Sequence, residues 1–402
     1  MSEILFLAHR IPYPPNKGDK IRSWRLLRAL AQRWPVRLGT FVDREEDWKH
    51  VDALREMCPR SHFVPLRPLA ARVRGVLHAL RGASITEGAW RDAGMARWVR
   101  ESLADGTVRC VFAFSSGVAQ YAELPGVRYP RRIIDLCDVD SDKWRQFAER
   151  SSGPMRAVYA LEHRRLARAE ARWVHQFDAT IVISEAERRL LPGGADHPER
   201  VTVVANGVDT EYFDPDFAAD PVFAPDELPI VFTGAMDYLA NVDGVEWFAD
   251  EVFPEIRRQC PQAVFVIVGA HPAARVQALA RRPGIRVTGT VPDVRPYLAG
   301  AACVAVALRM ARGVQNKLLE AMAMARPVVA TRIATVGVAE EGDPPGVTIA
   351  DSPQEFAAAV LRHLRTEASL RRNPAARRHV IERFSWDVRL APVIDLVQEA
   401  CT

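Results

Sequence analysis

The sequence lacks the patterns that mark several well-defined classes of protein. Its six cysteines are scattered without a CxxC pair, which argues against a zinc or iron–sulfur site and against a disulfide framework, and favours a reducing compartment. It contains neither the GxGxxG fingerprint of dehydrogenases nor the GxSxG elbow of hydrolases, so neither class is favoured. No apolar run approaches the roughly 18 residues that a membrane-spanning helix needs.

Length and charge narrow the possibilities further. A chain of 402 residues exceeds the usual size of one compact core and predicts two domains. The formal net charge of +4 is too small for a dedicated nucleic-acid binder, so no nucleic-acid partner is expected. The chain runs from Met-Ser-Glu directly into an apolar strand pattern, and we therefore expect a cytoplasmic protein without a signal peptide.

The segment Met57–Thr86 has an unusual charge pattern. It contains no acidic residue, and its arginines alternate with aliphatic residues at near-helical spacing. A basic amphipathic helix of this kind is a candidate for binding an anionic membrane surface. The plainer alternative is a helix whose apolar face packs on the core and whose arginines are solvated.

Apolar runs alternate with helical patterns along both halves of the chain. Alternation of this kind predicts doubly wound parallel sheets, that is, an α/β fold of two Rossmann-like domains. A break at Asn206–Asp209 and the proline-rich stretch after it separate the halves. We predict an N-terminal domain at 1–205, a second at 206–375, and a final helix at 376–402 that crosses back to the first.

Three loops of the second half follow predicted strands. They are Gly234–Asn241, Gly289–Asp293 and Arg309–Lys317. Parallel sheets bind ligands at the carboxyl ends of their strands, so these loops are expected to line one crevice.

The stretch Arg312–Thr331 reads as a loop, a helix and a strand. The start of a helix attracts phosphate, and Arg309, Arg312 and Lys317 add positive charge. Glu320 lies one turn further along, where an ionised carboxylate could accept hydrogen bonds from ribose hydroxyls. The pattern therefore indicates a nucleoside-diphosphate site, with an ordinary solvated helix start as the plain alternative.

Several motifs resemble the GT-B glycosyltransferases, family 4 in particular. The run GVQNKLLEAMAMARPVVAT resembles the donor-binding signature of that family, NGVD at Asn206–Asp209 the start of its second domain, and FSWDV its C-terminal helix. The runs PYPPNKGDKIRSW, DLCDVDSDKW and TGAMDYLANVDGVEWF are similar to those of the sugar transferases associated with exosortase and PEP-CTERM export systems.

The resemblance implies two Rossmann-like domains facing across a cleft and retaining transfer of a sugar to an acceptor hydroxyl. A hexosyl donor and a saccharide or lipid-linked saccharide acceptor in exopolysaccharide biosynthesis are expected, with the protein in the cytoplasm or on the inner face of the membrane. The expected catalytic residues are Lys317, Arg312 and Asp138. The expected donor-binding residues are Gly18, Gly234, Met236, Asp237, Asn241, Gly289, Val291, Arg309, Gln315, Asn316 and Glu320. The expected acceptor residues are Lys17, Asp19, Arg22, Lys143 and Trp144.

The sequence also departs from the family pattern. Arg312 stands where the family has the first of two glutamates, and Gly234–Asn241 lacks the usual arginine and lysine. We infer that Arg309, Arg312 and Lys317 neutralise the diphosphate instead, so that no metal and no cofactor are expected. Asp138 and Asp140 spell the DxD of metal-dependent transferases, but short acidic strings are common.

Two other functions stay open at this point. The missing glutamate, together with the absence of a histidine from Asp135–Trp144, would suit a nucleotide-sugar-binding or regulatory protein with reduced turnover. A nucleotide-sugar 2-epimerase would share the two-domain form.

Overall fold

The computed structural model describes residues 2–15, 18–218, 220–311, 313–339, 342–367 and 372–402. The chain divides into two compact units. The first consists of Met1–Ala205 with Leu390–Thr402, and the second is Asn206–Arg389.

Each unit is built on a parallel sheet, which confirms the predicted α/β fold class. The described strands of the first unit are β1 (Glu3–Ala8), β2 (Val36–Val42), β3 (Ser61–Pro65), β4 (Val108–Phe114), β5 (Arg131–Cys137), β6 (Ala179–Val182) and β7 (Val201–Val203). Those of the second are β8 (Leu228–Thr233), β9 (Ala263–Val268), β10 (Ile285–Gly289), β11 (Cys303–Val306), β12 (Val328–Ala330) and β13 (Val347–Ile349). Their spatial orders are β3-β2-β1-β4-β5-β6-β7 and β10-β9-β8-β11-β12-β13.

Helices connect these strands and cover the sheets. The first unit contains α1 (Gly18–Ala31), α2 (Val51–Met57), α3 (Pro68–Leu80), α4 (Ile85–Ala89), α5 (Ala93–Ala104), α6 (Ser116–Ala119), α7 (Asp140–Arg150), α8 (Gly153–Gln176) and α9 (Glu185–Leu190). The second contains α10 (Leu239–Trp247), α11 (Phe253–Gln259), α12 (Ala274–Leu279), α13 (Arg295–Gly300), α14 (Asn316–Ala323), α15 (Arg332–Thr335), α16 (Pro353–Arg365) and α17 (Pro374–Phe384). A last helix, α18 (Trp386–Cys401), carries the chain from the second unit into the first.

The central strands are buried on both faces, which is why they are continuous apolar runs rather than alternating ones. In β1 the residues from Ile4 to Ala8 are wholly buried, and in β9 every residue is buried. This burial fixes the carboxyl ends of the strands, where the loops begin.

A buried ion pair attaches α1 to the sheet of the first unit. Arg22 donates from Nε to the carboxylate of Asp135 in β5 at 2.9 Å, and both side chains are almost fully buried. A charge of this kind is stable inside a protein only while it is paired. The pair therefore holds the start of α1 over the carboxyl ends of β1 and β5.

One segment differs from the sequence-based expectation. The basic segment Met57–Thr86 is helical only from Pro68 onwards, since Ser61–Pro65 forms an edge strand paired with β2. In the second unit, α10 is followed by a wider π-type turn at Phe248–Val252 before the chain continues as α11.

Candidate active site

A pocket of about 540 Å³ lies at the carboxyl ends of the strands in the second unit. It is lined by the three predicted loops, by a fourth loop after β9 that the sequence did not indicate, and by the start of α14. The lining residues are Thr233, Gly234, Ala235, Tyr238, Asn241, Val268, Gly269, Ala270, Thr290, Val291, Val294, Val314, Gln315, Asn316, Lys317 and Glu320.

Two glycines let the loop after β8 approach the loop after β9. A Cβ atom on Gly269 would lie 1.6 Å from the carbonyl oxygen of Gly234, so no larger residue fits there. Gly234 itself has a φ of 154°, and a Cβ on it would lie 3.0 Å from Nζ of Lys317. Because these glycines have no side chains, the floor of the pocket is formed by backbone atoms and by Lys317.

Lys317 is the cation among the described residues that line this pocket. Its ammonium group donates a hydrogen bond to Oδ1 of Asn241 and lies 4.3 Å from the centre of the Phe232 ring. Burial lowers the pKa of Lys317 to about 7, although nearby Glu320 raises it. A phosphate in the pocket would favour the charged form of this amine.

Asn241 aligns Lys317 by holding two parts of the site together. Its side-chain amide donates to the carbonyl of Ala235 at 2.8 Å, while its oxygen accepts from Lys317. The loop after β8 and the first turn of α14 are thereby tied to each other.

Glu320 lies one turn after Lys317 and also lines the pocket. Among the residues that the structure describes, its carboxylate accepts no hydrogen bond. Burial raises the pKa of Glu320 to about 7, although nearby Lys317 lowers it. A partly buried carboxylate without a donor is suited to accept hydrogen bonds from a ligand.

The first turn of α14 adds a third element. The first amides of a helix have no intrahelical acceptor, and the helix dipole is positive at this end. Gln315 and Asn316 stand at this point of the pocket lining. The pocket thus combines an anion-attracting end, formed by Lys317 and the helix start, with an acceptor end at Glu320.

Glu320 should make the stability of the ligand-free protein depend on pH. Its folded pKa of about 7 lies above the ordinary 4.5, so its contribution is fully present below pH 4.5 and is lost as pH rises through 7. Glu320→Gln should therefore gain stability relative to the parent between pH 5 and pH 7.5, by about 1 kcal/mol once partial solvent screening is allowed for. Melting curves of both proteins at pH 5 and at pH 7.5 measure this. The same difference in stability between the two proteins at both pH values would contradict the prediction.

The other residues predicted for the donor are placed differently. Met236 is fully buried in the core, Asp237 is exposed, and neither these two nor Gly289 and Arg309 belong to the pocket lining. Arg309 donates from Nε to Asp243 of α10 at 3.0 Å and forms a second hydrogen bond to the same carboxylate. Its charge is thus already matched by a protein carboxylate.

Two predicted residues lie outside the described part of the chain. They are Arg312 and Lys17.

In the first unit, the start of α1 stands beside a histidine. Gly18 begins the helix, and Oδ2 of Asp19 lies 3.0 Å from Nη1 of Arg10 and 3.5 Å from Nε2 of His9. His9 first, and then Arg10, hold the pKa of Asp19 well below its ordinary value although burial raises it. The histidine follows β1 directly and lies against the rings of Trp90 and Phe114.

The predicted acceptor residues around α7 form a second group at the same edge of this sheet. Nζ of Lys143 lies 3.1 Å from Asp138 and 3.0 Å from Asp140. Burial lowers the pKa of Lys143, but these two carboxylates raise it by more, so the amine stays charged. Trp144 packs against Phe147 and Tyr159, whereas Arg22 is the buried partner of Asp135.

Sequence reasoning missed two features of these sites. Tyr238 lines the pocket with 61% of its surface exposed, and an aromatic residue in a strand–helix loop could have indicated it. The second feature is His9, whose place directly after β1 is where parallel sheets present functional side chains.

Known proteins resemble this chain in fold and, over part of the second unit, in sequence. Residues 227–366 match the family described as glycosyl transferases group 1. Anabaena Alr3699/HepE, crystallised with UDP-glucose, is 16% identical, with a TM-score of 0.61 over 99% of this chain and 100% of that one. The chain has the GT-B glycosyltransferase fold. No curated protein matches it by sequence.

Two further GT-B structures are similar over almost the whole chain. Sucrose-phosphate synthase from Thermosynechococcus elongatus is 15% identical, with a TM-score of 0.60 and 99% of each chain covered. The TarM G117R mutant of S. aureus, in complex with fondaparinux, alpha-GlcNAc-glycerol and UDP, is 12% identical, with a TM-score of 0.61 over 98% of this chain and 99% of that one. The structural similarity thus covers almost the whole chain, whereas the family match is confined to residues 227–366 of the second unit.

In the part of the chain that the structure describes, no group of three or more histidine, cysteine, aspartate or glutamate side chains is arranged to hold a metal ion. No helix in the same residues is both long and apolar enough to cross a membrane.

Proposed function

We propose that the protein is a retaining glycosyltransferase that moves a hexose from a nucleoside-diphosphate sugar to an acceptor hydroxyl. One observation carries the proposal: Lys317 and Glu320 share one pocket, at the carboxyl ends of a parallel sheet. A cation beside a helix start can bind a diphosphate. A carboxylate one turn away, which accepts no hydrogen bond from the described residues, can bind the hydroxyls of a ribose.

The donor would lie along α14. Its diphosphate would meet the first turn and Lys317, and its ribose hydroxyls would donate to Glu320. Charge grows on the leaving diphosphate as the glycosidic bond breaks, and a fixed cation in a partly desolvated pocket stabilises that charge. We propose that this positive charge serves without a metal, and that the donor phosphate takes the proton of an acceptor on the same face of the sugar, which retains the anomeric configuration.

For the acceptor we propose a lipid-linked saccharide of an exopolysaccharide pathway, reached from the cytoplasmic face of the membrane. The motifs shared with sugar transferases of exosortase and PEP-CTERM systems support this assignment. In the first unit, Asp138, Lys143 and the His9–Asp19 pair present hydrogen-bonding groups near the carboxyl ends of β1 and β5. We propose Asp138 as the residue that contacts a sugar hydroxyl.

A thermal-shift screen of the full chain against UDP-, GDP- and ADP-sugars tests the proposal. A ligand at about 100 times its Kd adds about 2.7 kcal/mol of stability, so one nucleotide class should raise the melting temperature clearly. Proton NMR of the sugar product formed from that donor should then show the anomeric configuration of the donor. An inverted product would contradict retention, and binding without any product would favour the regulatory protein.

A further inference from the structure

Helix α3 turns its large apolar side chains towards solvent. Leu69, Val73, Val76, Leu77 and Leu80 are each between 52% and 79% exposed. Their spacing of four, three, one and three residues places all of them on one face of the helix. Five large aliphatic residues therefore form a continuous exposed stripe.

The opposite face of α3 packs against the protein through small residues. Ala71 and Gly75 are buried, and a Cβ atom on Gly75 would lie 2.9 Å from the side chain and the carbonyl oxygen of Ile85. A helix that packs on a core normally buries its large apolar face instead. The alternative of a core-facing helix with a solvated arginine face is therefore wrong.

Positive charge surrounds the stripe. Arg67, Arg72 and Arg81 are exposed, and none of them forms an ion pair with any residue that the structure describes. On the helix, Arg72 lies beside Val76 at one edge of the stripe, while Arg81 follows its last residue. Since Met57–Thr86 contains no acidic residue, nothing within the segment offsets these charges.

Further exposed apolar side chains lie near the start of α8. Met155, Val158 and Leu161 are 49%, 40% and 41% exposed. The next residue, Glu162, is buried and accepts hydrogen bonds from Ser84 Oγ in the turn after α3 and from the backbone amides of Ile85 and Thr86 at the start of α4. The turn between α3 and α4 is therefore held against the first half of α8.

We propose that the exposed faces of α3 and of the start of α8, here called the α3–α8 surface, bind an anionic lipid bilayer. Aliphatic side chains can enter the boundary between headgroups and acyl chains, while arginines beside them reach lipid phosphates. Exposed arginines around the stripe, which form no ion pair with the described residues and have no carboxylate in their own segment, complement anionic headgroups. The α3–α8 surface is inferred from exposure and charge and does not depend on the proposed function. The proposed function adds a reason for such a surface, since a lipid-linked acceptor lies in a membrane.

Vesicle flotation of the full chain tests the surface. We expect the protein to float with vesicles of phosphatidylcholine and phosphatidylglycerol, and at least about tenfold less with phosphatidylcholine alone, because arginines near the membrane add to binding. Leu77→Glu with Leu80→Glu should lower binding to the anionic vesicles by at least about tenfold. The matched control is Leu190→Glu on α9, an apolar residue of the same unit that is 42% exposed, and it should bind like the parent.

Charge and fold are tested separately. Arg72→Gln with Arg81→Gln should remove the preference for anionic vesicles and leave any binding to neutral ones. The overturning results are equal binding by all variants, absence of vesicle binding by the parent, or a parent dimer that light scattering shows to dissociate in the Leu77→Glu, Leu80→Glu variant. Nucleotide binding by that variant, measured by calorimetry, should stay at the parent value, so a failure of the surface is distinguishable from a failure of the donor site.

Discussion

Replacement of Glu320 by alanine is expected to weaken donor binding about 100-fold. The carboxylate lines the pocket and accepts no hydrogen bond from the described residues, so a ribose would supply its partners. Two hydrogen bonds to a charged group contribute about 3 kcal/mol together, which corresponds to this factor in Kd. Calorimetry with the nucleoside diphosphate found in the thermal-shift screen measures the change.

Two variants sharpen this prediction. Glu320→Gln keeps the shape and one acceptor oxygen, and should lose about tenfold because the charge is gone. Glu246→Ala removes a carboxylate of the same unit that lies outside the pocket and pairs with Arg275, so its Kd should equal that of the parent. An unchanged Kd in Glu320→Ala would remove the ribose from this position.

Replacement of Lys317 by methionine should lower turnover by about 10² to 10³. The ammonium group is the buried cation of the pocket, and its strongest effect is expected where negative charge grows on the leaving diphosphate. The Kd of the nucleoside diphosphate should change less than turnover, because the start of α14 still attracts phosphate. Steady-state kinetics together with calorimetry separate the two quantities.

Stability provides the control for this variant. Because burial lowers the pKa of Lys317 from 10.5 to about 7, its contribution to stability is present above pH 10.5 and is lost as pH falls through 7. The methionine variant should therefore melt at the same or a higher temperature than the parent at pH 7. Loss of activity with a lower melting temperature would point to misfolding, and unchanged turnover would remove Lys317 from the reaction.

Strong local patterns allowed much of the fold to be predicted. The patterns behind β2, β4 and α14 are of this kind, because the buried strands are mostly apolar and α14 has a clear helical period. Helix α7 is harder to predict from the sequence, because it is mostly polar and its first four residues are all polar. Tertiary bonds hold it, such as the one from the backbone of Ser141 to the buried Glu170 of α8.

The candidate site was predictable where its parts are close in sequence. Lys317 and Glu320 are one turn apart, so their shared pocket followed from the helix. The pairing of Arg309 with Asp243 was not predictable, since 66 residues separate them and only the packing of α10 brings them together. The same limit applied to Asn241 and Lys317.

The apolar periodicity alone could also not predict which face of α3 is exposed to solvent. Apolar spacing predicts a stripe but does not say whether protein or solvent covers it. One signal could have decided the question: Ala71 and Gly75 are four residues apart, on the face opposite the large aliphatic residues. Small residues at that spacing permit close helix packing, as the contact between Gly75 and Ile85 shows.

Release of nucleoside diphosphate tests the central claim most directly. The purified full chain is incubated with each of the UDP-, GDP- and ADP-sugars, with a membrane lipid extract as the source of acceptor, and the free nucleoside diphosphate is quantified over time. We predict release from one nucleotide class, reduced by about 10² or more in Lys317→Met. A donor that binds the parent tightly yet yields no nucleoside diphosphate, or release that is equal in the parent and in Lys317→Met, would contradict the account.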